Sequence, residues 1–159
     1  MAAPGELGNI AGLLAQELRT LESFVTLLRS EQALLSSGAN EGLTALADDK
    51  SRAAIELGRL ANLRDQALAR LHLPPGRAGM DAWTLTDAGS ASQRAWDRLL
   101  ALTAEARALN EANGKLIALH LQHNRQALSI LMAAANQTAT YGPDGQPRTG
   151  LGGRTLSSA

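Results

Sequence analysis

Apolar residues recur at alternating intervals of three and four along three long stretches of this chain, the pattern of helices that bury one stripe against a neighbour. The first stretch places Leu7, Ala11, Leu14, Leu18, Leu21, Val25, Leu28, Gln32 and Leu35 on a heptad, with Ile10, Leu13, Phe24, Leu27 and Leu34 beside it. A face that wide can touch two neighbours. Pro4 suits a helix entry, where its missing N–H costs nothing, so a first helix is predicted from there to about Ser36. Ser36 to Asn40 make a short break, with Gly38 as the left-handed stop and Asn40 as the next N-cap. A second helix follows over about Glu41 to His72, carrying Leu43, Leu46, Lys50, Ala53, Leu57, Leu60, Arg64, Ala67 and Leu71. Pro74 and Pro75 end it. The first two helices are expected to pair as an antiparallel hairpin.

The third and longest stretch runs from about Ser92 to Thr138, opened by Ser90 and Gln93 in the spacing of a capping box. Its seam is Leu99, Leu102, Ala106, Leu109, Asn113, Leu116, His120, His123, Ala127, Ile130 and Ala134. From its middle onward a second column, Ile117, Leu121, Asn124, Leu128, Leu131 and Ala135, is also mainly apolar. One neighbour does not need that much surface. At ~1.5 Å per residue this helix is roughly 70 Å long against about 45 to 50 Å for each of the other two, so its last turns are expected to overhang. Something has to cover the excess, either within the chain or from a partner.

Between the second and third helices lies a connection, Leu73 to Gly89, longer than bundle links usually are. Met80 to Thr86 is expected to form a short helix that folds Trp83 onto the bundle end, with Trp96 as its packing partner. An exposed, ligand-binding Trp83 is the other reading. The final stretch, residues 140–159, is rich in Gly, Pro, Ser and Thr, and is expected to be a flexible tail after a bundle domain spanning residues 1–139.

Composition narrows the class. The chain has 159 residues, 45% of them hydrophobic and only 3% aromatic, so its core must be built from Leu and Ala, both strong helix formers. Fifteen basic and fifteen acidic residues balance to zero, without the basic excess that phosphate backbones attract. Nucleic acid is therefore not an expected partner. Cysteine is absent, which excludes disulfides and thiolate metal sites. No run approaches the ~20 apolar residues that span a bilayer, and the opening residues do not read as a secretion signal, so a cytoplasmic chain without membrane insertion is expected.

The candidate chemistry is sparse. Lys50 and Arg64 interrupt the second seam; either their stems lie along it with the charges lifted to water, or they contact an acidic partner. His120 and His123 stand one turn apart, but no carboxylate nearby supplies a third ligand, and no metal is expected. No nucleophile-and-base arrangement or phosphate-binding loop is visible, so neither catalysis nor a cofactor is expected. Asn110 and Asn113 place amides on or beside apolar faces, and Gly114 costs about 1 kcal/mol of helix propensity against Ala. These three are read as structural, the amides fixing register where another helix approaches Gly114 closely. Direct partner recognition is the alternative.

Asn110, Glu111, Ala112, Asn113 and Gly114 form an N-x-x-N-G group, and the tail carries Tyr141, Gly142, Pro143, Asp144, Gly145 and Gln146. Together with the leucine-rich opening and the Asp49, Lys50, Ser51 region, the chain resembles the FlgN family of flagellar type III export chaperones along nearly its whole length. The resemblance implies a cytoplasmic, non-catalytic chaperone that binds the C-terminal helical regions of the hook-filament junction proteins FlgK and FlgL and delivers them to the membrane export gate. An amphipathic client helix fits the spare face of the third helix, at Ile117, Leu121, Ala127, Leu128, Leu131 and Ala135. The resemblance assigns gate docking to Tyr141, Gly142, Asp144, Gly145 and Gln146, with a cap on the bundle end as the alternative for Tyr141. The whole reads as an elongated antiparallel three-helix bundle, coiled-coil-like, with a short connecting helix. A non-catalytic bundle that self-associates through the same stripe stays open as the rival reading, and with it a homodimer when no client is bound.

Overall fold

The computed structural model describes residues 9–140, and among them all regular structure is helical. Three long helices, α1 (Ile10–Ser37), α2 (Leu43–Arg70) and α4 (Gln93–Thr140), are joined by a turn and by a connection holding the short helix α3 (Gly76–Thr84). The chain divides into two compact units, one ending at Ile117 and the other beginning at Ala118. In the first, α1, α2 and α4 pack against each other as an all-α bundle. Cross-helix ion pairs give the directions. Glu17 meets Arg64 and Glu31 meets Lys50, so α1 and α2 are antiparallel. Glu22 meets Arg98 and Arg29 meets Glu105, so α4 runs parallel to α1 and antiparallel to α2.

Most of the expected core assembles, with Leu68 buried where Leu71 was expected and Leu71 exposed. Leu14, Leu21, Val25 and Leu28 of α1 are buried with Leu60, Ala67 and Leu68 of α2 and with Leu99, Leu102 and Ala106 of α4. Met80 and Trp83 of α3 join them, as does Trp96, whose indole N–H donates to the Asp81 carboxylate at 2.7 Å. Both tryptophans are interior residues rather than exposed ligand platforms.

Several boundaries differ from the sequence reading, each through local turn chemistry. Asn9 stands outside α1 and caps it, its side chain accepting from the Gly12 amide at 3.1 Å, so α1 begins at Ile10, while the helix entry expected at Pro4 lies outside the described residues. Gly38 is left-handed as expected, and the amides of Gly38 and Ala39 close back on the carbonyls of Leu35 and Leu34. Asn40, however, does not cap α2; a second left-handed glycine, Gly42 (φ 87°), takes that position. At its other end α2 stops before the prolines. His72 adopts φ 57°, and the amides of His72 and Leu73 return to Ala69 and Leu68, so a six-residue closure ends the helix while Pro74 and Pro75 only follow it.

The box at Ser90 and Gln93 does not form. Gly89 and Ser90 already donate to the Thr86 carbonyl, which carries Ser90 into a 3₁₀ turn instead of the extended backbone an N-cap requires. Its hydroxyl donates to Asp87, and the Gln93 amide donates to Asp97. The short helix was expected over Met80 to Thr86; it starts four residues earlier, where the Gly76 amide donates to Asp65 on α2.

The two seam cations correct another expectation. Neither lifts its charge to water. Lys50 Nζ lies 2.8 Å and 2.9 Å from the two carboxylate oxygens of Glu31, and Arg64 is buried against Glu17 with its guanidinium 5.4 Å over the Trp96 ring. The acidic partner belongs to α1.

A candidate helix-binding face

The second unit is helical from Ala118 to Thr140, and every residue of it from Leu121 to Ala139 is exposed. Exposure by itself is ordinary for a helix surface; what matters is which side chains are involved. Leu121, Leu128 and Leu131 are 51%, 58% and 67% exposed, and Ala127 and Ala135 are exposed with them. Ile117, also expected on this face, is the last residue of the first unit and is exposed too. On a regular helix Leu121, Leu128, Leu131 and Ala135 fall along one stripe, and Ala127 lies at its border. The stripe also takes in exposed Met132, four residues after Leu128, which the sequence reading passed over although its spacing was visible. Leu119 and Ile130 are exposed on the other side of the helix.

The three residues read as structural separate. Asn113 is 1% exposed, and its amide donates to the Leu28 carbonyl at 2.9 Å and to the Glu31 carboxylate at 2.8 Å. Since Glu31 also holds Lys50, one buried cluster ties α1, α2 and α4 together. Asn110 lies at the surface, where it helps line a shallow groove of about 210 Å³ with Leu21, Phe24, Thr103, Ala106 and Arg107. Gly114 does not mark a close helix approach, because a Cβ there would meet nothing within 4 Å.

His120 is half-buried and His123 exposed, and among the described residues no three metal-ligating side chains come together. A second cleft of the first unit, about 420 Å³ between Asn9, Leu13 and Gln16 on one side and Leu63, Gln66 and Arg70 on the other, has Arg70 as the one titratable side chain among its described lining residues. No described helix is long and apolar enough to cross a membrane. Tyr141, Gly142, Asp144, Gly145 and Gln146 lie outside the described residues.

An uncharged, leucine-bearing stripe has the chemistry to pack against another apolar surface, and similarity to known proteins gives it a context. The family model described as FlgN protein matches residues 1–149. The chain belongs to the FlgN family. Among its relatives, two named "Flagella synthesis protein FlgN" come from Yersinia enterocolitica, one of them from the serotype O:8 / biotype 1B strain. Each is 31% identical over 137 residues, which is 85% of this chain and 86% of the relative. No solved structure matches. The FlgN match includes the N-x-x-N-G group, whose second asparagine is the buried Asn113.

Proposed function

We propose that this chain acts in flagellum assembly as a type III export chaperone, a non-catalytic cytoplasmic protein that holds the C-terminal helical regions of FlgK and FlgL and brings them to the export gate. Membership of the FlgN family, and relatives named for flagella synthesis, support the flagellar role. The observation that carries the client-binding part is the exposure of Leu121, Leu128 and Leu131 on one stripe of an almost uncharged helix. An amphipathic client helix can cover such a stripe with anchors one turn apart. Ile117, Ala127 and Ala135 complete the proposed client face. Docking to the gate is assigned to Tyr141, Gly142, Asp144, Gly145 and Gln146.

Calorimetric titration of the purified chain with the C-terminal segment of a hook-filament junction protein tests this reading. One-to-one binding at micromolar or tighter affinity supports it, and repetition with a chain truncated at Thr140 assigns the client to the helix or to the tail. If neither form binds and the chain sediments as a tight dimer, the self-associating bundle replaces the chaperone.

A further inference from the structure

From Ala118 to Thr140 the sequence contains no Asp and no Glu, and its charge-bearing side chains are Arg125, His120 and His123. Helical geometry puts Arg125 about 50° to one side of the Leu121–Leu128 line and His120 about 90° to the other. Arg125 is exposed and makes no ion pair with any described residue, and His120 is half-buried. The apolar stripe is thus bordered near its start by the Arg125 guanidinium on one side and by the His120 imidazole, whose ring N–H can donate, on the other, with no carboxylate in this unit's described helix to offset them.

We infer that the helix accepted by this face carries carboxylates flanking its own apolar stripe, at the end that lies against His120 and Arg125. The inference rests on the client-helix reading of the same face and adds the chemistry of the client. A second copy of this chain is the poorer occupant, because its matching segment brings the same cations and no acid. A client with basic flanks is repelled, and one with neutral flanks leaves the guanidinium without a partner. Exposed contacts are individually weak, but a guanidinium that attracts an acid and repels a base, together with an imidazole N–H that donates to an acid and not to an ammonium, separates acidic from basic clients by roughly ten-fold at low salt.

Two designed amphipathic peptides with the same leucine stripe, one flanked by Glu and the other by Lys, serve as probes. Each is titrated into the full-length chain and into a His120→Glu, Arg125→Glu variant. The Glu-flanked peptide is expected to bind the unaltered chain about ten-fold more tightly, with the gap narrowing in high salt and reversing in the variant. Equal affinities, a preference for Lys, an unaltered preference in the variant, or no binding by either peptide overturns the inference. The junction-protein titration is scored separately. A client that binds there without any Glu preference here removes the charge rule alone, while a Glu preference without junction-protein binding removes the chaperone reading alone.

Discussion

Replacing Arg64 by Met is expected to destabilise the first unit by about 3 kcal/mol, and replacing its partner as well is expected to recover most of that loss. The Arg64 and Glu17 side chains are 8% and 10% exposed. Breaking such a pair from one side costs about 3–5 kcal/mol, because the remaining charge stays buried without compensation. Arg64 also sits over Trp96, a contact worth roughly 1–2 kcal/mol when desolvated, and the Met thioether against the same ring returns part of it. In Arg64→Met with Glu17→Leu the pair leaves no unpaired partner behind, and Arg64 Nε, which is buried without a hydrogen-bond partner among the described residues, disappears with it. The double variant should therefore lie within about 1 kcal/mol of the unaltered chain, or above it. Urea unfolding followed by circular dichroism, with unchanged slopes, measures both values. A single variant costing under about 1 kcal/mol, or a double variant as unstable as the single, would refute the reasoning.

The same pair sets a pH dependence. Burial raises the Glu17 carboxyl above its ordinary value of 4.5, outweighing the Arg64 guanidinium, and Asp65 adds to the rise. The folded state therefore holds this proton more tightly than the unfolded chain does. Keeping the carboxylate ionised costs stability above the raised value, and that cost is relieved as pH falls through it towards 4.5. In Arg64→Met the opposing guanidinium is gone and the carboxyl moves higher still. The penalty of the variant should accordingly be smaller at about pH 5 than at about pH 7. A penalty that grows on acidification would contradict the sign.

Gly114→Ala should stabilise by about 1 kcal/mol, read as a higher unfolding midpoint, since the added methyl meets open space on a helix. Gly79→Ala should cost at least about 3 kcal/mol, because its Cβ would stand 1.8 Å from the Pro74 carbonyl oxygen, a backbone atom that cannot step aside. Asn113→Ala should cost about 2 kcal/mol in the same assay through the loss of its bonds to Leu28 and Glu31. Leu121→Asp combined with Leu128→Asp should leave urea unfolding within about 0.5 kcal/mol while weakening client binding at least ten-fold, because both side chains are already solvated. Unchanged client affinity in that folded variant rejects the face.

The three long helices were legible because burial in a bundle imposes a period that leucine and alanine display directly. The stop at Gly38 was legible too, but the ends at Asn9, Gly42 and His72 were not, since these close or open helices through backbone conformations that several nearby residues could equally have supplied. Glu17 and Glu31 were missed for a different reason. A carboxylate is normally read as surface, yet each stands three residues after a buried leucine, Leu14 and Leu28. A cation at a seam position of one helix called for an acid at a seam position of its neighbour, and Lys50 and Arg64 were that signal. Of the candidate face, the apolar stripe could be read from spacing. The seam already held Asn113 and left Asn110 beside it; what spacing could not show is that the Asn113 amide finds the Leu28 carbonyl and the Glu31 carboxylate across the bundle.

The energetics of the face bear on what it can do with a client. Just before it, Glu111 and Lys115 form a solvated pair of the kind that keeps an exposed helix soluble, the Lys115 ammonium holding the Glu111 carboxyl below its ordinary value. Beyond Ala118 that device is abandoned in favour of Leu and Ala, whose exposure costs free energy until something covers them. Leu121, Leu128, Leu131 and Met132 are already partly covered, so burying the rest of each gains roughly 1–2 kcal/mol, or about 6 kcal/mol together. A nanomolar complex requires about 12 kcal/mol net of the losses of association, and a micromolar one about 8. These four side chains by themselves therefore fall short of lasting capture, and Ile117, Ala127, Ala135 and contacts on the flanks have to supply the remainder that brings the face to the micromolar, exchangeable range. A carrier that must surrender its cargo is served by that balance, whereas a permanent structural dimer would call for an apolar surface continuing around the helix through Gln126, Ser129 and Gln137.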